Sequence, residues 1–267
     1  MRNLRSAIYG VAVGDALGVP VEFMKRGSFR VEDMTGFGTH SQPCGTWSDD
    51  TSMTLATCHS IKELGCIDVD DIRRRFGNWL YNGEYAIDGN VFDVGGTTSA
   101  AIRNGKGEDG EYSNGNGSLM RILPLAFTDA DYDIIGKVSA ITHAHRVSIQ
   151  YCIYYVRIAR ALLGGENITK AVSIYKDYSE ITGRVQSDVL SSGFVVDTLE
   201  AALWCLCTTD NFKDAVLRAV NLGDDTDTVG AVTGGLAGIV YGIENIPKSW
   251  LDKLRGKDLI ESCLWDF

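Results

Sequence analysis

The chain has 267 residues, 45% of them hydrophobic and 22% charged, which is ordinary for a folded protein and enough apolar material for one large core. Acids outnumber Lys plus Arg by 35 to 25, and the net charge of −10 argues against a nucleic-acid backbone or an anionic membrane as the main partner, while leaving room for a local basic pocket for a small phosphate ligand. The seven cysteines, an odd number without a C-x-x-C pair, read as reduced thiols of a cytoplasmic protein; two N-terminal arginines precede an apolar run that Asp15 interrupts with no small-residue cleavage site, so no signal peptide is expected.

Helical spacing dominates and strand alternation is nearly absent. Leu4 to Leu17 reads as one buried helix, with Gly10, Gly14 and Gly18 four residues apart, and Pro20 ends it. A Gly-, Ser- and Thr-rich loop follows to about Trp47. Helices are expected from Thr51 to Leu64, closed by Gly65, and then from Asp68, with Ile72, Phe76, Trp79 and Leu80 on one face. A short helix covers Thr97 to Arg103. Asn104 to Gly117 is a polar, glycine-dense loop of the kind that carries function, and Pro124 interrupts Ser118 to Phe127. Further helices are expected at Tyr132 to His143, Val147 to Leu163, Ile168 to Tyr178, Val196 to Cys207 and Phe212 to Asn221. The stretch Thr228 to Ile243 is uncharged and carries Gly230, Gly234 and Gly238 at the same four-residue spacing; it falls short of the roughly 20 residues a bilayer requires. The two glycine-spaced helices are therefore expected to cross at close range in the centre of the fold. A short helix at Leu251 to Leu254 and a tail containing Trp265 end an all-α chain of ten or more helices, read as a single compact domain over 1–267.

Two acidic clusters open apolar helices. Asp224, Asp225, Asp227 and Thr228 introduce the late helix, and Thr46, Ser48, Asp49, Asp50 and Thr51 introduce an early one. Each cluster taken alone is as well explained by helix capping. Together they hold more carboxylate than capping uses. If they face each other, Ser48, Asp49, Asp50, Asp225, Asp227 and Thr228 supply oxygens for two divalent cations about 3.5 to 4 Å apart, and the lack of His or Cys among them favours Mg or Mn over Zn. In Asn114 to Arg121, glycines leave backbone N–H groups open to an anion and Arg121 is a candidate to neutralise a phosphate, with a flexible turn as the plain alternative. Asp93 precedes a Gly-Gly turn and is either an Asx-turn residue or a general acid or base. Of His143 and His145, spaced by two at a helix end, one is expected to line a pocket while the other faces water.

The segments GVAVGDALGVPVEF, GTWSDDTSM, VFDVGG, GNGSLMRILPLA, THAHR and GDDTDTVGAVTGGLAG follow one another in an order and spacing that resembles the ADP-ribosylglycohydrolase family, in particular its bacterial dinitrogenase reductase-activating type. The resemblance spans about Ala7 to Gly242. It implies an all-α bundle around a cleft with a binuclear Mg or Mn centre, held by Ser48, Asp49, Asp50, Asp225, Asp227 and Thr228. It implies further that Asn116, Gly117 and Ser118 hold a diphosphate, that His143 contacts substrate, and that Asp93 or Glu22 handles protons, with Asp15 supporting the ligands. Ser48 stands where the family more often has Thr, and Asp224 where it more often has Gly. The expected activity is hydrolysis of the N-glycosidic bond between ADP-ribose and a protein side chain, most of all arginine, by a cytoplasmic monomer. Cleavage of O-linked ADP-ribose, in ADP-ribosyl-serine or O-acetyl-ADP-ribose, is the alternative within enzymes; a non-catalytic ADP-ribose binder is expected to have lost acids from the two clusters, all of which are present here, and a metal-dependent phosphatase or nuclease is disfavoured by the family resemblance and the negative charge.

Overall fold

The computed structural model describes residues 4–265; Arg2 and the other terminal residues of the expected span 1–267 lie outside the described residues. Thirteen α-helices follow in order among them: α1 (Leu4–Gly18), α2 (Asp49–Leu64), α3 (Val69–Asn82), α4 (Gly96–Asn104), α5 (Tyr132–Ser139), α6 (Arg146–Leu163), α7 (Ile168–Val172), α8 (Tyr178–Thr182), α9 (Val195–Cys207), α10 (Phe212–Val220), α11 (Thr226–Tyr241), α12 (Lys248–Lys253) and α13 (Lys257–Cys263). Strand pairing among the described residues is limited to three isolated bridges, so the fold is all-α. One continuous hydrophobic cluster runs from Leu4 to Trp265.

The glycine spacing explains the centre. A Cβ placed on Gly10 would lie 2.1 Å from the carbonyl oxygen of Gly234, and one on Gly14 would lie 2.0 Å from that of Gly230. On Gly18 it would meet the Cα of Asp227 at 2.3 Å. Contacts that rise along α1 fall along α11, so the two helices run antiparallel, backbone against backbone, and both are buried over nearly their whole length. This crossing brings the C-terminal end of α1 against the acidic start of α11, where Thr226 Oγ1 donates to the Gly18 carbonyl at 2.9 Å.

The start of α2 is fastened to the same place. Asp15, buried in α1, accepts from the backbone N–H groups of Ser48 at 2.8 Å and Thr51 at 3.0 Å and from the Thr51 hydroxyl at 2.6 Å. It thereby satisfies N–H groups at the start of α2 that have no partner within the helix, while Gly65 in the left-handed region (φ 67°) closes the other end.

Three expected elements differ. The helix from Tyr132 stops at Ser139 because Thr142 and Ala144 pair with the backbone of Glu108 instead. The stretch expected as one helix from Ile168 to Tyr178 is helical only to Val172, in α7, and α8 begins where that helix is expected to end, with Tyr175 between them turned to hydrogen-bond Tyr151 at 2.9 Å and Glu200 at 2.7 Å. The tail before Trp265 contains α13, which its short, weakly patterned sequence does not announce.

Candidate metal centre and active-site cleft

The two acidic helix starts converge. Asp50 is fully buried, and its Oδ2 accepts from Ser48 Oγ at 3.1 Å and from Thr228 Oγ1 at 3.3 Å, so one carboxylate joins the early and late clusters. Capping accounts for little of the acid. Ser48 caps α2 through the Asp50 N–H, whereas Asp225, at the N-cap of α11, makes no side-chain cap bond. Asp225 Oδ2 instead accepts from Asn116 Nδ2 at 2.8 Å, and Asp227 Oδ1 from the Thr228 N–H at 2.9 Å. Asp50 Oδ1, Asp225 Oδ1 and Asp227 Oδ2 are buried with no hydrogen-bond partner among the described residues.

Such atoms are costly to leave unmade, about 1–3 kcal/mol each and more for charged groups. Burial, and after it the neighbouring carboxylates, push Asp49, Asp50 and Asp227 well above the ordinary carboxylate range. Burial also lifts Asp15 to about 7. Like charges in a dry site demand either protons or cations. Oxygen-only donors with three unmatched carboxylate oxygens fit a hard divalent cation. Carboxylate oxygens of Glu22, Asp225 and Asp227 also lie within 4.8 Å of one another.

Glu22 follows the short 3₁₀ turn Val19–Val21 and is almost completely buried. It shares a short hydrogen bond with His40 Nε2, and that same nitrogen lies 3.9 Å from Asp93 Oδ1. Asp93 sits in the left-handed region (φ 56°), a strained backbone for a non-glycine residue and of the kind found at functional sites. Burial, then the charges of Asp93, Asp225 and Asp49, push Glu22 up to about 10. Asp93 is raised by burial but pulled back by His40 beside it. His40 had no signal in the sequence: it stands in a loop without periodicity, and only folding places it between these two acids.

A cleft of about 260 Å³ opens over this group, lined by Glu22, Asp93, Asp49, Asp225 and Thr228 together with the Gly115–Gly117 loop and His143. A larger groove of about 770 Å³, between the Arg26–Glu32 segment and α10, lies apart from these acids. Arg26, which lines that larger groove, donates to the carbonyls of Leu222 at 2.5 Å, Gln186 at 2.7 Å and Val189 at 2.6 Å. Asn116 bridges the glycine loop to the acids, with Nδ2 2.9 Å from Thr198 Oγ1 as well as bonded to Asp225. His143 lines the cleft and His145 instead caps α6, accepting from the Val147 N–H at 3.2 Å.

Two expected residues turn away. The Ser118 hydroxyl is buried against Ser139 at 3.0 Å and Cys152 at 3.4 Å. Arg121, expected to meet a phosphate, does not line the cleft: its guanidinium is fully buried, stacked 4.5 Å from the Phe76 ring centre and bonded to carbonyls at the end of α5. Asp224 has a backbone reason for its departure from glycine to be notable. It too is left-handed (φ 59°), its side chain is exposed, and its backbone pairs with Phe23 at 2.7 Å and Met24 at 3.1 Å. Its carboxylate contacts Ser191 at 3.4 Å and so stays outside the buried acid set.

A sequence profile of the ADP-ribosylglycohydrolase family matches residues 1–266. Among curated proteins, the ADP-ribosylarginine hydrolase Tri1 of Serratia proteamaculans (strain 568) is 36% identical over 97% of this chain and 76% of its own. The ADP-ribosyl-[dinitrogen reductase] glycohydrolase of Rhodospirillum rubrum is 36% identical over 94% of this chain and 90% of its own. Among solved structures, an ADP-ribosylglycohydrolase-related protein complex superposes with a TM-score of 0.82 at 29% identity, covering 97% of this chain and 94% of that one.

Proposed function

The chain belongs to the ADP-ribosylglycohydrolase family, and from that premise we propose that it removes ADP-ribose from an arginine side chain of a modified protein by hydrolysing the N-glycosidic bond. The observation that carries this reading is the meeting of two acidic helix starts, with three unmatched carboxylate oxygens, beneath a cleft holding Glu22 and Asp93. The arginine linkage is supported by the names of two relatives, from Serratia proteamaculans at 36% identity and Pseudomonas putida (strain GB-1) at 34%, both ADP-ribosylarginine hydrolases. In this reading Ser48, Asp49, Asp50, Asp225, Asp227 and Thr228 hold two divalent cations, Mg or Mn. When bound, such cations supply positive charge and Lewis acidity where the ribose hydroxyls and the attacking water meet.

The remaining work falls to side chains. Glu22 and Asp93 sit side by side, and two neighbouring carboxyls keep their proton on the one whose surroundings raise it more. Glu22 is the general acid, protonating the departing guanidine nitrogen, and Asp93 is the base that takes a proton from water as positive charge grows on the anomeric carbon. His40 holds both in register. Asn116 and Gly117 bind the diphosphate. Residues 1–267 form one domain in this reading, acting as a monomer in the cytoplasm; no helix among the described residues is long and apolar enough to cross a membrane.

The linkage is tested by turnover of ADP-ribosyl-arginine and ADP-ribosyl-serine peptides with Mn and then with chelator. Arginine turnover that chelation stops is the expected result; serine turnover alone, or indifference to chelation, overturns it. For the proton carriers, Glu22→Gln and Asp93→Asn are each expected to lower kcat about 10²-fold or more. Glu22→Gln should remove the alkaline limb of the pH–rate profile, because the acid is needed protonated, and Asp93→Asn the acidic limb, because the base is needed ionised. Exchanged limbs would exchange the roles. Gly117→Ala places a Cβ 2.8 Å from His143 Cε1 and 3.0 Å from Thr98 Oγ1. ADP-ribose binding by calorimetry should weaken about tenfold.

A further inference from the structure

Arg121 is a buried cation with no carboxylate against it among the described residues, an arrangement that is costly to keep. Its guanidinium donates to Val138 O at 3.3 Å, to Ser139 O at 3.5 Å and to Thr142 Oγ1 at 2.8 Å. A guanidinium has no acceptor, so in the last of these bonds the Thr142 oxygen must accept. The same oxygen lies 2.9 Å from Nδ1 of His143. Thr142 is fully buried and these two groups are the partners of its hydroxyl.

The direction of the second bond follows. A hydroxyl has one hydrogen to give. Given to Nδ1, it leaves neither the Thr142 hydroxyl nor that ring nitrogen without a partner. Were Nδ1 protonated, the threonine oxygen would accept twice and its own hydrogen would be buried with nowhere to go. We infer that Arg121 and Thr142 are positioning residues that fix His143 as the Nε2–H tautomer, so that the imidazole offers the cleft a hydrogen-bond donor and not an acceptor.

The ring is pinned for that task. Its backbone N–H donates to Ser139 O at 3.0 Å, and its carbonyl accepts from Ser139 Oγ at 3.1 Å. The glycine loop leaves room on the Nε2 side, where a Cβ on Gly115 would come within 3.4 Å of that nitrogen. Burial, with the Arg121 charge behind it, holds the imidazole down to about 3, so His143 carries one proton throughout the neutral range. The matching ligand group is an acceptor oxygen, and a phosphate oxygen of ADP-ribose is the one this cleft would take. That last assignment rests on the function proposed above; the tautomer does not.

The test is a long-range ¹⁵N–¹H correlation spectrum of ligand-free protein with ¹⁵N-labelled histidine, in which the His143 signals are those lost in His143→Gln. The expected spectrum has a protonated Nε2 and a bare Nδ1, retained in Thr142→Ser. Thr142→Val should give mixed or inverted tautomers and bind ADP-ribose about tenfold more weakly, with KM rising more than kcat falls. A proton on Nδ1 in the parent protein overturns the inference, as does an unchanged tautomer in Thr142→Val. If that variant does not fold, the parent spectrum still decides. A protonated Nε2 in a protein that binds no ADP-ribose upholds the relay and removes the function proposed for it.

Discussion

Asp50→Asn is expected to lower kcat/KM about 10³-fold while leaving the cation-free protein at least as stable as the parent. The first half follows from position: this carboxylate is touched by hydroxyls of both acidic clusters and has an unmatched oxygen. Losing one ligand at a site where a cation is worth several kcal/mol costs that order of rate. The second half follows from charge, because burial and then Asp15, Asp49, Asp225 and Asp93 all disfavour the ionised form of Asp50. An amide of the same shape removes that repulsion. Thermal melts with Mn and with chelator provide the check. Mn should raise the parent's melting temperature and leave the variant's unchanged; equal stabilisation of both would remove Asp50 from the cation site.

The same acids set a pH dependence. Their folded-state values lie above the ordinary carboxylate range, Asp15 at about 7 and Glu22 at about 10. The cation-free folded protein therefore holds protons that the unfolded chain has released, and its stability from these groups, present at low pH, is lost as pH rises through that window. Cations compete with those protons. Stabilisation by Mn should accordingly be larger at about pH 8 than at about pH 5.

Gly14→Ala is expected to destabilise the protein by more than about 4 kcal/mol, or to prevent folding, since its Cβ would lie 2.0 Å from a backbone oxygen that cannot step aside without parting α1 from α11. Gly77→Ala is the matched control: it too is a mid-helix glycine, but a Cβ there meets nothing within 4 Å, and the change should stabilise by about 0.5–1 kcal/mol. Denaturant unfolding of the two variants provides the measurement. Equal small effects would mean that α1 and α11 do not touch through their backbones. The stake is functional as well, because that crossing sets Glu22 beside Asp225 and Asp227.

What can be read along the chain was set by local rules. Glycines four residues apart mark a bare helix face, Ser48 and Asp68 mark helix starts, and a surplus of acid at Asp49 to Asp50 and Asp225 to Asp227 marks a demand that capping does not meet. Those signals were enough for the all-α fold and the close central pair, and they single out acids that the fold brings together. Other features have no local signal. Arg121 follows a glycine loop and by type suits an anion, yet the hollow made by Phe76 and the carbonyls of Val138 and Ser139 takes its charge inward. His40 becomes the partner of Glu22 and Asp93 only once three separate loops meet. The break between α7 and α8 answers to Glu200 and Tyr151, both far along the chain. Helix periodicity, caps and glycine steps depend on neighbours within a turn or two, so the sequence alone determines them. Which way a side chain points and which distant group it meets depend on the packed surroundings, and those exist only in the tertiary structure.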